Sequence, residues 1–287
     1  MADIVSYRLL SMCTPEDAVF AWNVGFAGYY SDLTMSAESL SRRMDQDGIV
    51  PEASILAFAG DRPVGIVLNA IADVHGIRQA WNGGTAVAQE HRGTGVAREM
   101  LRRSVGLYAE HRVRLATLEA LSQNSRAIAL YAKNGYRLSG TLHGLAAQHP
   151  RIDPVDDGQS IEFVAPERLT SVPFYQKRAS WPTLWPNARG AIAVIAAKGG
   201  VPSAFILFRR APGARGAPVI RILKAECADD GTALRAALGA LLAHHRDVAE
   251  YLAYNVPASN AHGLRVLREA GFEPVWDQVW MTREFVT

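Results

Sequence analysis

Val87-Ala88-Gln89-Glu90-His91-Arg92-Gly93-Thr94-Gly95-Val96-Ala97 decides how this chain reads: an apolar strand end, a turn with two glycines, and a helix that opens at once. From Val96 the apolar positions recur as Ala97, Leu101, Val105 and Tyr108, which is helical spacing. Glycine at 93 and 95 removes side chains that would hold a ligand away from the backbone. The N–H groups at the helix start then converge on one spot, where the helix dipole adds positive potential. Such a nest suits a pyrophosphate, and Arg92 offers a charge-assisted contact to the same anion.

A dinucleotide loop of the form Gly-x-Gly-x-x-Gly would need glycine at position 98, which is Arg98, and no Gly-Lys-Ser/Thr follows. The remaining alternative is an ordinary tight turn. A second segment, Leu118 to Tyr136, argues against it, reading as strand, capped helix and strand. Ser122, Asn124 and Ser125 offer capping oxygens, Ala127, Ile128, Tyr131 and Ala132 share a helical face, and Asn134-Gly135 supplies a left-handed stop. Arg92-x-x-Gly95-x-Ala97 resembles the Gln/Arg-x-x-Gly-x-Gly/Ala signature of GNAT-type acyl-CoA N-acyltransferases. Asn124, Ala127, Leu130, Tyr131, Gly135 and Tyr136 fill every marked position of that family's second signature. The resemblance spans about residue 3 to about 145.

The chain of 287 residues is long enough for two domains that each bury a core. Its 30 basic and 28 acidic residues nearly cancel, only four are lysines, and no basic block occurs, so nucleic acid is not expected as a partner. Cys13 and Cys227 stand apart from each other and from any histidine cluster, which points to a reducing, cytoplasmic compartment without metal or disulfide framework. The start, Met1-Ala2-Asp3-Ile4, lacks a signal-peptide pattern, and the apolar run Ala191 to Ala197 is too short for a membrane span.

Strands are expected at Ile4–Leu9, Ser54–Gly60, Val64–Ile71 and Gln79–Val87, with helices from Pro15 to Trp22 and Ser36 to Met44. Gly83-Gly84 sit awkwardly inside a strand and suggest a bulge; the resemblance implies that such a bulge splays two strands around the pantetheine arm. Between Leu145 and Ser160 the text turns polar and punctuated, a linker by composition that includes Pro154-Val155-Asp156-Asp157. After it the pattern restarts: Ala191–Ala197, Gly199-Gly200 and Ser203–Phe208 repeat an earlier strand–turn–strand. At an ungapped offset Asn260 falls on Asn124, Gly271 on Gly135, Phe272 on Tyr136, Gly231 on Gly95 and Ala233 on Ala97. On the same offset Arg92 becomes Ala228, Tyr131 becomes Leu267, and Gly93-Thr94 become Asp229-Asp230. Two carboxylates there read as helix caps and would repel a pyrophosphate.

Acyl transfer from a thioester to an amine needs a neutral nucleophile, a donor for the oxyanion and a proton for the thiolate. The resemblance implies Tyr131 as the general acid; its alternative is a core tyrosine. Glu119 at a strand end could accept the amine proton, directly or through water, or sit in an ion pair; Leu118-Glu119 and Asn124 are similar to the arrangement of GNAT enzymes that acetylate protein N-termini. The resemblance implies the Val87 N–H as oxyanion donor and a CoA site at Val87, Ala88, Gln89, Arg92, Gly93, Thr94, Gly95, Val96, Ala97 and Asn124, where Asn124 also reads as a cap. Phe26, Tyr29, Tyr30, Trp81 and Asn82 are the acceptor-site candidates, with Trp22 in the same aromatic stripe, which reads equally as core.

The chain is thus identified as a tandem GNAT-like protein of α/β (α+β) class, each unit a mixed, mostly antiparallel central sheet flanked by helices. The expected domains are 1–147, catalytic, and 158–287, degenerate. The resemblance implies an N-acetyltransferase that uses acetyl-CoA as acyl donor and no metal. Its acceptor is a small-molecule amine or a peptide N-terminus, with no nucleic acid or membrane as partner, in a monomer or homodimer. The rival expectation is a non-catalytic CoA-sensing or interaction module on the same fold.

Overall fold

A computed structural model describes residues 4–153, 158–213 and 216–285. Met1–Asp3 and residues 154–157 of the expected linker lie outside them. The chain divides into two compact units, and neither is a contiguous half. The first comprises Met1–Glu119, Asn124–Leu138 and Met281–Thr287; the second comprises Ala120–Gln123 and Ser139–Trp280. A contiguous cut into 1–147 and 158–287 is therefore not the division that packing makes. The second unit takes most of a strand from the first half of the sequence, and the first unit takes the last residues of the chain.

In the first unit, β1 (Val5–Leu9) leads to α1 (Pro15–Phe26) and α2 (Ala37–Asp47). Then come β2 (Ile55–Ala59), β3 (Arg62–Val74), β4 (Ile77–Val87), α3 (Val96–Glu110), β5 (Leu115–Leu121) and α4 (Ser125–Lys133). Strand order follows the sequence from β1 to β5, antiparallel except for the parallel β4–β5 pair. Local chemistry starts both early helices. Thr14 and Asp17 close a capping box with Pro15 at the first turn of α1, and Ser36 caps α2, which stops at left-handed Gly48. Trp22, Leu40, Phe58, Ile66 and Leu68 bury one side of the sheet under α1 and α2. Gly25 allows α1 to lie directly on β4, because a Cβ there would be 2.6 Å from the Ala86 Cβ.

The second unit begins inside β6 (Arg137–Gln148), so the chain remains in a strand to Gln148 where the composition suggested a linker from Leu145. Leu142, Leu145 and Ala147 are buried within β6, which fixes it as sheet rather than connection. It continues through β7 (Ser160–Val164), β8 (Ile192–Lys198), β9 (Val201–Pro212), β10 (Pro218–Cys227), α5 (Thr232–His244), β11 (Glu250–Pro257), α6 (Ala261–Glu269) and β12 (Glu273–Glu284). β10 and β11 pair in parallel, and β6 pairs antiparallel with β11. Before β8, where the first unit carries α1 and α2, three short 3-10 turns begin at Pro166, Trp181 and Trp185. Among the described residues no helix is long and apolar enough to cross a membrane.

Candidate active site

The first unit's sheet opens at one place. β4 and β5 pair in parallel from Gln79–Leu115 to Asn82–Leu118, and the ladder stops there although β4 runs on to Val87. On the other edge of β4 the register slips at Gly83, since Leu68 faces Gly84 and Asn69 faces Asn82. Both glycines are required by packing. A Cβ at Gly83 would lie 2.6 Å from the Trp81 ring, and one at Gly84 would lie 2.9 Å from Trp22. Arg43 of α2 clamps the bulge by donating to Gly83 O at 2.7 Å while stacking on Trp22 at 4.5 Å. Asn82 closes it from within, accepting from the Gly84 N–H at 3.1 Å and donating to Thr85 Oγ1 at 2.9 Å. Beyond the bulge, the Ala88 N–H donates to Val64 O on the β3 side at 2.8 Å. Neighbouring residues of a strand point opposite ways, so the Val87 N–H faces the side from which β5 has departed.

The loop after β4 builds a helix start that no side chain closes. Gly93 (φ 88°) and Gly95 (φ 98°) are left-handed, and α3 begins at Val96 without a side-chain cap. Val96 is buried in the core and Ala97 half-buried, while Gln89, Gly93 and Thr94 are exposed. Thr94 Oγ1 donates to His91 O at 2.7 Å, tightening the turn. Arg92 does something other than the charge contact expected of it. Its Nε donates to Val87 O at 3.0 Å, and its Nη2 donates to Gly25 O and Ala27 O, each at 3.0 Å. These are the last carbonyls of α1, whose negative dipole end attracts a cation. Arg92 thus ties α1 to the loop. Two further guanidinium groups approach the glycines: the Nη2 atoms of Arg126 and Arg98 would be 3.3 and 3.4 Å from a Cβ at Gly93 and Gly95.

Tyr131 projects from α4 and is 7% exposed, with a side-chain hydrogen bond to Thr85. Burial pushes its phenol up to about 12, with the Thr85 hydrogen bond acting in the opposite direction. Tyr29 hydrogen-bonds the side chain of Asn124 and adds to the electrostatic environment of Tyr131. Asn124 also caps α4, accepting from the Ala127 N–H at 3.1 Å, which is the cap expected of it. Tyr29 packs edge-on against Phe26 and Tyr30, with centroids 5.3 and 5.1 Å apart. Of this stripe Trp22 is core, Phe26 and Tyr29 are half-buried, and Tyr30 is exposed. Glu119 Oε2 accepts from the Trp81 indole N–H at 2.7 Å, across neighbouring strands. Trp81 and Asn82, expected at the acceptor site, are both buried, at 6% and 4% exposure. They support the bulge and the Glu119 carboxylate rather than presenting a surface.

Thr85, Arg43 and Arg126 did not emerge from the sequence. Arg126 lies at an unmarked position of the second signature, and Thr85 lies between the bulge and Val87, so position along the elements was the only available signal.

The second unit repeats the frame and closes the nest. β10 and β11 pair from Val219–Glu250 to Ile222–Ala253 and then part, and β10 slips register at Leu223. Gly231 (φ 100°) starts α5, as Gly95 starts α3, and Asn260 caps α6 by accepting from the Gly263 N–H at 2.9 Å. Asp229 accepts from the Gly231 and Ala233 N–H groups at 2.8 and 3.0 Å, and Asp230 accepts from the Thr232 N–H at 3.1 Å. Two carboxylates already occupy the place of an anion. The ungapped match of Arg92 to Ala228 fails here. Eight positions separate Val87 from Gly95 but only four separate Cys227 from Gly231, so the shorter loop has no counterpart of Arg92.

Residues 19–136, the stretch that carries α1 to α4, match the Acetyltransferase (GNAT) family model. Solved structures similar to it include a tandem GNAT protein from the clavulanic acid biosynthesis pathway, 17% identical with TM-score 0.67, covering 98% of each chain. A GCN5-related N-acetyltransferase from Sphaerobacter thermophilus is 16% identical with TM-score 0.68, covering 98% of this chain and 95% of the other. The glucosamine N-acetyltransferase region of a fungal multi-domain GH3 β-N-acetylglucosaminidase is 12% identical with TM-score 0.72, covering 98% of this chain and 38% of that one. At these identities the likeness is one of fold. No curated protein matches the chain by sequence.

Proposed function

We propose that the first unit is an N-acetyltransferase that moves an acetyl group from acetyl-CoA to a primary amine by direct attack. The second unit is then its diverged, non-catalytic repeat. One observation carries the reading: the parallel β4–β5 ladder ends at Asn82–Leu118 beside an α3 start that no side chain caps. A slot next to an open N–H nest fits a long thioester with a pyrophosphate at its far end. On this reading Gly93, Thr94, Gly95, Val96 and Ala97 hold the pyrophosphate by main chain, with Arg126 and Arg98 adding charge. Arg92 holds the loop to α1. The bound acetyl-CoA supplies an activated acyl group. The Val87 N–H meets the oxyanion that develops as the amine attacks.

Tyr131 is the donor for the departing sulfur. A phenol at about 12 is fully protonated at neutral pH but is a weak acid beside an ordinary thiol near ~8.5. It keeps its proton and donates a hydrogen bond to the departing thiolate, which then takes a proton from solvent. Glu119, oriented by Trp81, takes the amine proton directly or through water. Tyr29 and Phe26, on the Asn124 side, border the acceptor. The acceptor is a small amine or a peptide N-terminus.

The burial of Tyr131 favours the second reading, a CoA-binding module without transfer, because a phenol already bonded to Thr85 can serve packing alone. Release of free CoA thiol from acetyl-CoA across a panel of primary amines separates the two. Turnover with any amine above the hydrolysis background supports the transferase. Tight acetyl-CoA binding without turnover on amines and N-terminal peptides supports the module.

A further inference from the structure

Within the second unit, the parting of β10 and β11 opens a cavity of about 430 Å³, a volume suited to a small organic ligand. CoA is not the natural occupant, since Asp229 and Asp230 already hold the α5 N–H groups. The walls are largely apolar, but β10 sets a buried ion pair into them. Lys224 lies 3.4 Å from Glu226, with side chains 6% and 14% exposed. The Lys224 ammonium donates to Gln176 O at 2.6 Å and sits 4.5 Å above the Tyr175 ring, while Glu226 Oε2 accepts from the Gln176 N–H at 3.1 Å. Burial disfavours both charges, pushing the ammonium down and the carboxyl up. A pair at 3.4 Å is a loose contact, longer than a good charge-assisted hydrogen bond of about 2.7–2.9 Å. Apart from Gln176, the Tyr175 ring and each other, the two poles have no further hydrogen-bond partner among the described residues. Trp280 lines the same cavity.

We infer that this cavity binds a small zwitterion of the amino-acid class with an apolar body. The ligand's carboxylate meets Lys224, and its ammonium meets Glu226. A net-neutral pair gives little attraction to a lone cation or anion, whereas a molecule carrying both charges answers both poles and replaces the hydration each lost. The apolar body lies on Tyr254 and the aliphatic wall.

L-phenylalanine, 2-phenylethylamine and 3-phenylpropanoate share one body and carry both charges, the cation alone and the anion alone. Titration calorimetry on the full chain, without acetyl-CoA, should show L-phenylalanine binding at least tenfold tighter than either partner compound. Glu226→Gln should weaken L-phenylalanine about tenfold, because the ligand's ammonium loses its carboxylate while the isosteric amide still accepts from the Gln176 N–H. Lys224→Met provides a second variant in which zwitterion selectivity is lost. Absence of L-phenylalanine binding, equal binding of all three compounds, or an unchanged affinity in Glu226→Gln would each overturn the inference. Since these variants lie in the second unit, their result is independent of acetyl transfer by the first.

Discussion

The indole N–H of Trp81 donates to Glu119 Oε2 at 2.7 Å, joining the last paired stretch of β4 to the end of β5 where the sheet opens. A buried donor on a carboxylate holds that carboxylate in one place, and hydrogen bonds to charged groups contribute about 1.5–3 kcal/mol. Trp81→Phe keeps most of the ring volume and releases Glu119. Turnover should fall about three- to tenfold with KM for acetyl-CoA unchanged. Glu119→Gln should fall at least as far in kcat and leave the melting temperature within a few degrees. Full kcat in Glu119→Gln would assign the amine proton to water alone.

Tyr131→Phe should lower kcat by about 10²-fold, the low end for general acid–base groups, with acetyl-CoA affinity nearly intact. The lost hydroxyl leaves Thr85 still bonded to Asn82, so the structural cost is about 1 kcal/mol. Full kcat with a lowered melting temperature would make Tyr131 a packing residue.

The phenol's pKa sets a pH signature. Raised from 10.0 to about 12 in the folded chain, Tyr131 holds its proton longer than it does unfolded. Its contribution to stability is therefore complete below pH 10 and is lost as pH rises from 10 toward 12. The melting temperature of wild type should drop more between pH 9 and 11 than that of Tyr131→Phe. For the same reason Tyr131 gives no descending limb in kcat between pH 7 and 10. A limb near 8.5 that vanishes in Tyr131→Phe would contradict this.

Arg92 and Arg126 should separate stability from binding. Arg92→Met strips three carbonyls of α1 and the loop of their donor, so melting temperature should fall clearly. Arg126 is exposed, and Arg126→Ala should raise KM for acetyl-CoA about three- to tenfold without thermal cost. Differential scanning fluorimetry and initial rates on the same preparations check both.

What the sequence disclosed was local. Gly93, Gly95 and Asn124 announce positive φ and a capped helix start, which neighbouring residues alone decide, and Gly83-Gly84 announce a bulge for the same reason. The role of Arg92 was not legible, because a guanidinium serves a phosphate or a helix C-terminus equally well, and only the position of α1 chooses. Trp81 and Asn82 read as candidates for a surface, yet the packing of Gly83 on Trp81 buries them. The division of the chain was least legible. β6 and β12 are ordinary strands in composition, and which unit each completes depends on long-range pairing that periodicity does not encode. The ungapped repeat found the helix starts at Gly231 and Asn260 but missed the shortened loop between β10 and α5.

Titration calorimetry of acetyl-CoA against wild type, Gly95→Glu and Gly231→Glu tests the central claim most directly. One acetyl-CoA should bind per chain, Gly95→Glu should abolish binding, and Gly231→Glu should bind as wild type whenever it folds. A second acetyl-CoA per chain, or loss of binding in Gly231→Glu with retention in Gly95→Glu, would place the donor site in the wrong unit and contradict the account.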